Sequence, residues 1–250
     1  MTRLRIHLGV SVDSMWFAGR LLTRLRNSSS VTLRQRLVGW GTGPMRERSV
    51  SLGERINLVN QSVRRLRSTL AVVGDEFERG KAQMVVCGAR HATFQFTDER
   101  LDLVLSLDIQ AFLSQLWTAV QLLDRFLIDF FRLILDKRIG NKEERRHLFA
   151  AHGIQDHSLS VLTDVRHLVT HSLTSLLAAD VDPDQPQAFD IVILRGTPRP
   201  DDWFPQPVPL SRLFSALEEF RTNLRHTENW LMEEIDAFER NDTSPQVAPT

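Results

Sequence analysis

Cysteine is nearly absent from this chain of 250 residues, and neither sign of charge predominates. Cys87 is the only cysteine, so no intrachain disulfide and no cysteine-based metal site can form, and a reducing compartment suits the protein. The 31 basic residues balance the 31 acidic residues. The chain therefore lacks the overall positive field of a typical duplex-DNA-binding protein, and any contact with nucleic acid requires a local basic patch.

Lysine is also scarce. It occurs only at Lys81, Lys137 and Lys142, so 28 of the 31 basic residues are arginine. Arginine binds phosphate through two parallel hydrogen bonds, which favours contacts with nucleic acid. A GC-rich coding sequence would produce the same bias, so the abundance of arginine does not by itself indicate a ligand.

Long uninterrupted apolar runs are missing as well. The first 13 residues contain charges where a secretory signal needs an apolar core, so we expect no export signal. The most apolar region, residues 101–135, is interrupted by polar and charged side chains, and we expect no membrane span there. These residues are Asp108, Gln115, Asp124, Arg125, Asp129 and Arg132. We therefore expect a soluble, cytoplasmic protein.

The first hundred residues combine strand and helix patterns. Residues 3–10 alternate polar and apolar side chains, as a half-buried strand does, and residues 14–26 and 51–79 have the apolar spacing of amphipathic helices. Residues 39–44 contain three glycines and a proline and predict a loop, although they lack the lysine of a phosphate-binding loop. Residues 83–105 predict a hairpin or two short strands, because β-branched and aromatic side chains surround a glycine.

Helix patterns dominate after residue 106. Apolar stripes predict helices near residues 106–139, 157–179 and 209–239 that pack side by side, with Ser106 or Asp108 as the N-cap of the first. A short polar helix is predicted at residues 142–152 and a short strand at residues 189–194.

These patterns together predict a mainly α fold. A helical bundle at residues 101–240 follows a smaller N-terminal α+β region at residues 1–100, whose role the sequence leaves open. Residues 241–250 are largely polar and predict a disordered tail.

Residues 159–177 contain charged side chains on an otherwise apolar helix pattern. Leucine and valine recur there every three or four residues, which places them on the face of a helix that is turned toward a core. Arg166, His167 and His171 lie among them. Partial desolvation shifts pKa values, and such shifts are frequent at catalytic sites, so these three residues are candidates for catalysis.

Residues 166–171 read RHLVTH, with a histidine directly after the arginine and four residues between Arg166 and His171. This pattern resembles the motif of the HEPN (higher eukaryotes and prokaryotes nucleotide-binding) family, an arginine followed four to six residues later by a histidine. Residues 107–127 are also similar to the opening helix of that family. The resemblance covers about residues 101–240 and predicts a HEPN-like helical bundle.

The resemblance implies a metal-independent endoribonuclease without a cofactor. Histidine would transfer the protons of RNA cleavage, and arginine would stabilise the phosphate in the transition state. Enzymes of this family usually pair two motif helices across a dimer, so a homodimer is expected. The resemblance further implies RNA as substrate and a prokaryotic toxin-antitoxin or defence system, with an antitoxin or defence protein as partner.

Other interpretations of the Arg166 segment stay open. Arg166 could pair with Asp164 and His171 could be a hydrogen-bonded core residue, in which case both are architectural. His167 and His171 are spaced for a metal on one helix face, but no third ligand is evident, so we expect no metal. Two further histidines follow arginines at a similar spacing and are interpreted as surface residues, because their segments are polar. These pairs are Arg146 with His152 and Arg221 with His226.

Three arginines on the second predicted helix are candidates for RNA binding. Arg64, Arg65 and Arg67 could bind phosphates, or they could form an ordinary solvated face of a helix. The alternative function for the whole chain is a non-catalytic helical module that binds a protein or RNA.

Overall fold

The computed structural model describes residues 16–80, 85–86, 92–93, 98, 100–155, 162, 165, 176–182, 185–194 and 208–243. These residues form six continuous helices and two small sheets, which confirms the predicted mainly α fold class. The strand predicted at residues 3–10 lies outside the described residues. The helices are α1 (Trp16–Arg26), α2 (Val31–Thr42), α3 (Pro44–Gly80), α4 (Leu101–Leu133), α5 (Lys142–Ala151) and α6 (Leu210–Thr243).

Both sheets are antiparallel. Strands β1 (Val85–Val86) and β2 (Ala92–Thr93) pair with each other, which confirms the two short strands predicted in this region. The second sheet has the order β3-β4-β5. Its strands are β3 (Leu176–Asp182), β4 (Gln185–Leu194) and β5 (Val208–Pro209). Leu177 lies opposite Ile193, and Val192 lies opposite Pro209.

The chain divides into two compact units, and the division does not follow the predicted boundary near residue 100. Unit 1 comprises Met1–Leu58, Thr118–Gln155 and Phe220–Thr250, whereas unit 2 comprises Val59–Trp117 and Asp156–Glu219. Each unit therefore takes residues from both sides of that boundary, because α3, α4 and α6 are long enough to contribute to both.

Aromatic side chains fill much of the core of unit 1. The indole of Trp40 on α2 meets the rings of Phe126 and Phe130 on α4 edge to face, and its Nε1 donates a hydrogen bond to the hydroxyl of Ser49. The ring of Trp230 on α6 lies 4.8 Å from that of Phe131. Edge-to-face and offset contacts of this kind add to the stabilisation from burial alone. They connect α2, α4 and α6 within this unit.

The core of unit 2 joins helices to the second sheet. Phe189 on β4 packs its ring 5.0 Å from that of Phe77 on α3. A β-carbon at Gly74 would lie 3.5 Å from the Phe189 ring, so the sheet is in van der Waals contact with α3 there. Leu162 and Val165 are helical and fully buried in this unit. Their burial agrees with the apolar stripe predicted for residues 159–177.

The glycine-rich segment at residues 39–44 is mostly helical, so the predicted loop is wrong. Gly39 and Gly41 lie inside α2, and only Gly43 interrupts the helices, with extended backbone at φ −119° and ψ −165°. A β-carbon at Gly43 would approach the carbonyl oxygen of Gly39 to 2.8 Å. The turn between α2 and α3 therefore requires glycine at this one position.

Helix α4 begins earlier than predicted, so neither Ser106 nor Asp108 is its N-cap. It starts at Leu101, and the Asp98 carboxylate accepts a hydrogen bond from the backbone N–H of Arg100 just before it. Asp108 is instead an internal helix residue with 1% of its surface exposed. A single sequence cannot distinguish such a buried acid from a cap, because its partners come from another helix.

The helix predicted at residues 157–179 is wrong at its carboxyl end. Leu176 and Leu177 lie in β3, which pairs with β4. Two consecutive leucines are compatible with a helix and with a strand, so their apolar character does not decide between the two. Backbone pairing with β4 makes them part of a strand. Residues 241–243 of the predicted tail are helical, because α6 continues to Thr243, and residues 244–250 lie outside the described residues.

Candidate nucleic-acid interface

The predicted catalytic residues Arg166, His167 and His171 lie outside the described residues, as does Asp164. The structure describes Leu162 and Val165 just before them, both helical and no more than 1% exposed. The start of β3 at Leu176 requires any helix through residues 166–171 to end before that residue.

The three candidate RNA-binding arginines all lie on the exposed part of α3 in unit 2. Leu66 on the same turn is fully buried, so the helix presents the arginines to solvent because its apolar stripe faces the core. Arg64 and Arg67 are three residues apart and therefore project from neighbouring positions on one side of the helix. Arg65 projects about 100° around the helix axis from Arg64.

Arg65 is engaged with a buried acid. Its Nε lies 2.5 Å from Oδ1 of Asp108, and the hydroxyl of Thr69 donates a hydrogen bond of 2.6 Å to Oδ2 of the same carboxylate. Asp108 lies on the apolar helix α4, where an unpaired carboxylate would be costly to bury. Arg65 therefore compensates a charge of the fold, which makes it less available to a phosphate than its neighbours on α3.

Arg67 makes a different contact. Its guanidinium carbon lies 5.5 Å from the centroid of the Phe214 ring on α6, within the range of a cation–π interaction. Phe214 in turn lies 5.9 Å from the ring of Phe112 on α4, with 31° between the two planes. The sequence analysis did not identify Phe214 as a candidate site residue. The only signal in the sequence is an aromatic residue next to the apolar stripe of the last helix.

Arg64 has no ion-pair partner among the described residues. Its side chain is exposed, and the nearest acidic residues along α3 are Glu54 and Asp75, more than two turns away in each direction. Arg64 is therefore the arginine of the three that is most available to an external anion.

Two histidines outside the predicted motif, His152 and His226, lie at the turn that follows α5 in unit 1. The Nδ1 of His226 on α6 lies 2.8 Å from the carbonyl oxygen of Gly153, which only accepts hydrogen bonds, so Nδ1 carries the proton. The ring of His152 stacks on that of Trp230, with centroids 4.5 Å apart. Both histidines are half-buried.

The contacts of His152 and His226 indicate a structural role, which is to hold the segment after α5 against α6. Gly153 has φ 73°, and a β-carbon there would lie 2.7 Å from Nδ1 of His226. Asn223, almost one turn before His226, accepts a hydrogen bond from the backbone N–H of Gln155 and donates one to its carbonyl oxygen. The chain after α5 is thus fastened to one side of α6.

Two acidic side chains of unit 1 have clearly shifted pKa values. Hydrogen bonds from Arg24 are the main cause that lowers the pKa of Glu239 to about 2. Burial raises the pKa of Glu228, and the charge of Arg20, with its Nε 3.2 Å away, partly opposes that shift. Shifted carboxyl groups often mark functional sites, but here both belong to ion pairs between α1 and α6.

No group of three or more histidine, cysteine, aspartate or glutamate side chains in the described part of the chain could hold a metal ion. The possible metal ligands His167 and His171 are not among those residues. Helix α4 is long and apolar enough to cross a membrane by length and composition alone. A helix in a protein core has the same properties, and Phe112, Leu116, Phe126 and Phe130 of α4 are buried within the protein.

Comparison with known proteins adds no identification, since no family model, curated protein or solved structure matches the chain.

Proposed function

We propose that this chain is a metal-independent endoribonuclease of the HEPN type. The observation that supports it best is the burial of Leu162 and Val165 as helical residues directly before Arg166. They lie in the same unit as Arg64 and Arg67, whose side chains are exposed. Unit 2 would thus combine a motif on a packed segment with cations that attract RNA.

The proposed chemistry uses the imidazoles of His167 and His171 and the guanidinium of Arg166. One imidazole removes the proton from the 2′-hydroxyl of RNA, and a protonated imidazole donates a proton to the leaving 5′-oxygen. The permanent charge of Arg166 stabilises the phosphate oxygens as negative charge accumulates in the transition state. This reaction requires no cofactor.

A homodimer would complete such a site. On a regular α-helix, two residues five positions apart differ by about 140° in direction and by about 7.5 Å along the axis. Arg166 and His171 of one copy would therefore not enclose a single phosphate, whereas a two-fold contact supplies both groups twice. We propose a cytoplasmic dimer in a prokaryotic toxin-antitoxin or defence system, with an antitoxin or defence protein as partner.

Cleavage of single-stranded RNA by the purified full-length chain tests the proposal. We expect cutting in the presence of EDTA, and a loss of about 10² to 10⁴ in rate for Arg166→Ala and for His171→Ala. His152→Ala is the matched control and should cut as fast as the wild type, because its ring packs on Trp230. A wild type that leaves a broad RNA panel intact, or one that EDTA inactivates, would contradict the proposal.

A non-catalytic interaction module is the second candidate. The observation in its favour is a pair of exposed leucines one turn apart on α4, Leu103 and Leu107, which are 59% and 48% exposed. A module of this kind would leave RNA intact, and substitution of His171 would have no effect on its binding of a partner.

A further inference from the structure

Three side chains in unit 2 are layered from the core to the surface. Phe112 is fully buried, Phe214 is half-buried and Arg67 is exposed, in the order in which they contact one another. The layering is a tertiary feature, since α4, α6 and α3 each contribute one residue. It ends in a guanidinium rather than in an aliphatic side chain.

Arg67 differs from the other arginines of α3 that make described contacts. Arg48, Arg65 and Arg79 are paired with the carboxylates of Asp129, Asp108 and Glu76, respectively. Arg67 has no described carboxylate partner, and its contact is with the face of an aromatic ring. Its hydrogen-bond donors and the exposed surface of its guanidinium are therefore available to a ligand.

A planar cation supported by an aromatic ring is suited to an unpaired nucleic-acid base. Bases stack on guanidinium planes as well as on aromatic rings, and such stacking is the usual way in which proteins hold single-stranded RNA. A base in a duplex is already stacked on both sides, so the same surface would not engage it. Arg64, three residues earlier on α3, is placed to contact a neighbouring phosphate.

We propose that Arg67, supported by Phe214 and Phe112, is a stacking platform for one unpaired base of single-stranded RNA, and that Arg64 binds the adjacent phosphate. This inference rests on the proposed function for the identity of the ligand as RNA. It assigns base stacking to Arg67 and charge neutralisation to Arg64, and it adds Phe214 to the interface.

Binding of a fluorescent 2′-O-methyl single-stranded oligonucleotide to the full-length chain tests the platform. This probe lacks the free 2′-hydroxyl needed for cleavage, so its affinity is measured independently of catalysis. Arg67→Lys keeps the charge but removes the planar group, and we expect it to weaken binding about 5- to 150-fold. Arg26→Lys is the matched control, the same substitution at an exposed arginine of unit 1 outside the proposed interface, and should bind within about twofold of the wild type.

Three further binding experiments distinguish base stacking by Arg67 from neutralisation of phosphate charge by Arg64. Arg64→Gln should reduce the slope of log affinity against log salt by about 0.7, the value for one phosphate contact on a single strand. Phe214→Leu should weaken binding in the same direction as Arg67→Lys, with circular dichroism confirming that it folds. A ladder of probes with one abasic position should reveal a position at which the wild type loses affinity and Arg67→Lys loses none.

The outcomes separate this inference from the proposed function. Equal affinity of Arg67→Lys and wild type, or preference for duplex RNA over the single strand, would refute the platform even if the chain cuts RNA. No binding to any probe would refute it as well. The expected pattern of affinities in a protein that cuts no RNA would support the platform and overturn the ribonuclease.

Discussion

Arginine has different roles in the two units. In unit 1 the guanidinium of Arg24 forms a two-sided contact, with Nη2 2.5 Å from Oδ1 of Asp236 and 2.6 Å from Oε2 of Glu239. In unit 2 Arg65 and Arg79 are also paired with acids, but Arg64 has no described ion-pair partner and Arg67 lies over a ring. Other arginines of unit 1 are also paired with acids. These are Arg20, Arg36, Arg48, Arg132 and Arg145.

The difference shows that the role of an arginine depends on which carboxylates its neighbouring helices bring within reach. Ion pairs that connect α1 to α6 hold elements together and leave few donors for a ligand. Exposed arginines without such partners contribute little to stability and remain able to bind phosphate. The excess of arginine over lysine therefore does not have one explanation throughout the molecule.

The largest expected effect is on the paired arginine of unit 1. Arg24→Ala removes both contacts and leaves Glu239, whose side chain is 14% exposed, without its main partner. We expect the free energy of unfolding to fall by about 2 to 4 kcal/mol, slightly less than for a fully buried pair. Urea denaturation measures this change. Arg26→Ala on the same helix is the control and should change stability by less than about 0.5 kcal/mol, since Arg26 is exposed and has no described partner.

Low pH should weaken the ion pair between Arg24 and Glu239. The pKa of Glu239 is lowered to about 2 in the folded protein, so its contribution is complete above its ordinary pKa and is lost as the pH falls from about 4.5 to 2. We expect Glu239→Gln to remove about 2 to 3 kcal/mol of stability at pH 7 and to flatten the loss in that range.

Glu228, which also pairs with an arginine of α1, should change stability with pH in the opposite direction to Glu239. Its pKa is raised by burial, so its contribution is complete at low pH and is lost as the pH rises through the raised value. Glu228→Gln should therefore gain stability relative to the wild type as the pH rises above about 4.5, the ordinary pKa of the carboxyl group, as thermal unfolding at a series of pH values would show. A parallel response of the two glutamine variants to pH would contradict both assignments.

The smallest effects should distinguish the arginines within unit 2. Arg65→Ala leaves the buried carboxylate of Asp108 with only the Thr69 hydroxyl, and we expect a loss of about 1 to 2 kcal/mol, because the 66% exposure of Arg65 weakens the pair. Arg64→Ala should change stability by less than about 0.5 kcal/mol. Denaturant titrations of the two variants provide the test. Equal losses would mean that Asp108 does not depend on Arg65.

The sequence predicted the helices well because their signal is local. Apolar spacing indicated the helix at residues 51–79, and α3 contains that whole range, with Val63 and Leu66 on its buried side. The same kind of spacing wrongly predicted a helix at Leu176 and Leu177. These residues belong to β3 and pair with β4. Periodicity alone does not reveal a competing strand partner about 17 residues along the chain.

The sequence by itself thus determined the mainly α architecture, most helix positions and the exposure of Arg64, Arg65 and Arg67. Only the tertiary structure decided that Arg65 compensates Asp108 and that Arg67 lies over Phe214. These partners are more than 40 and more than 140 residues away in the chain, and their proximity results from the packing of α3 against α4 and α6 within unit 2. A charge is visible in one sequence, but its partner becomes identifiable only when distant helices are brought together.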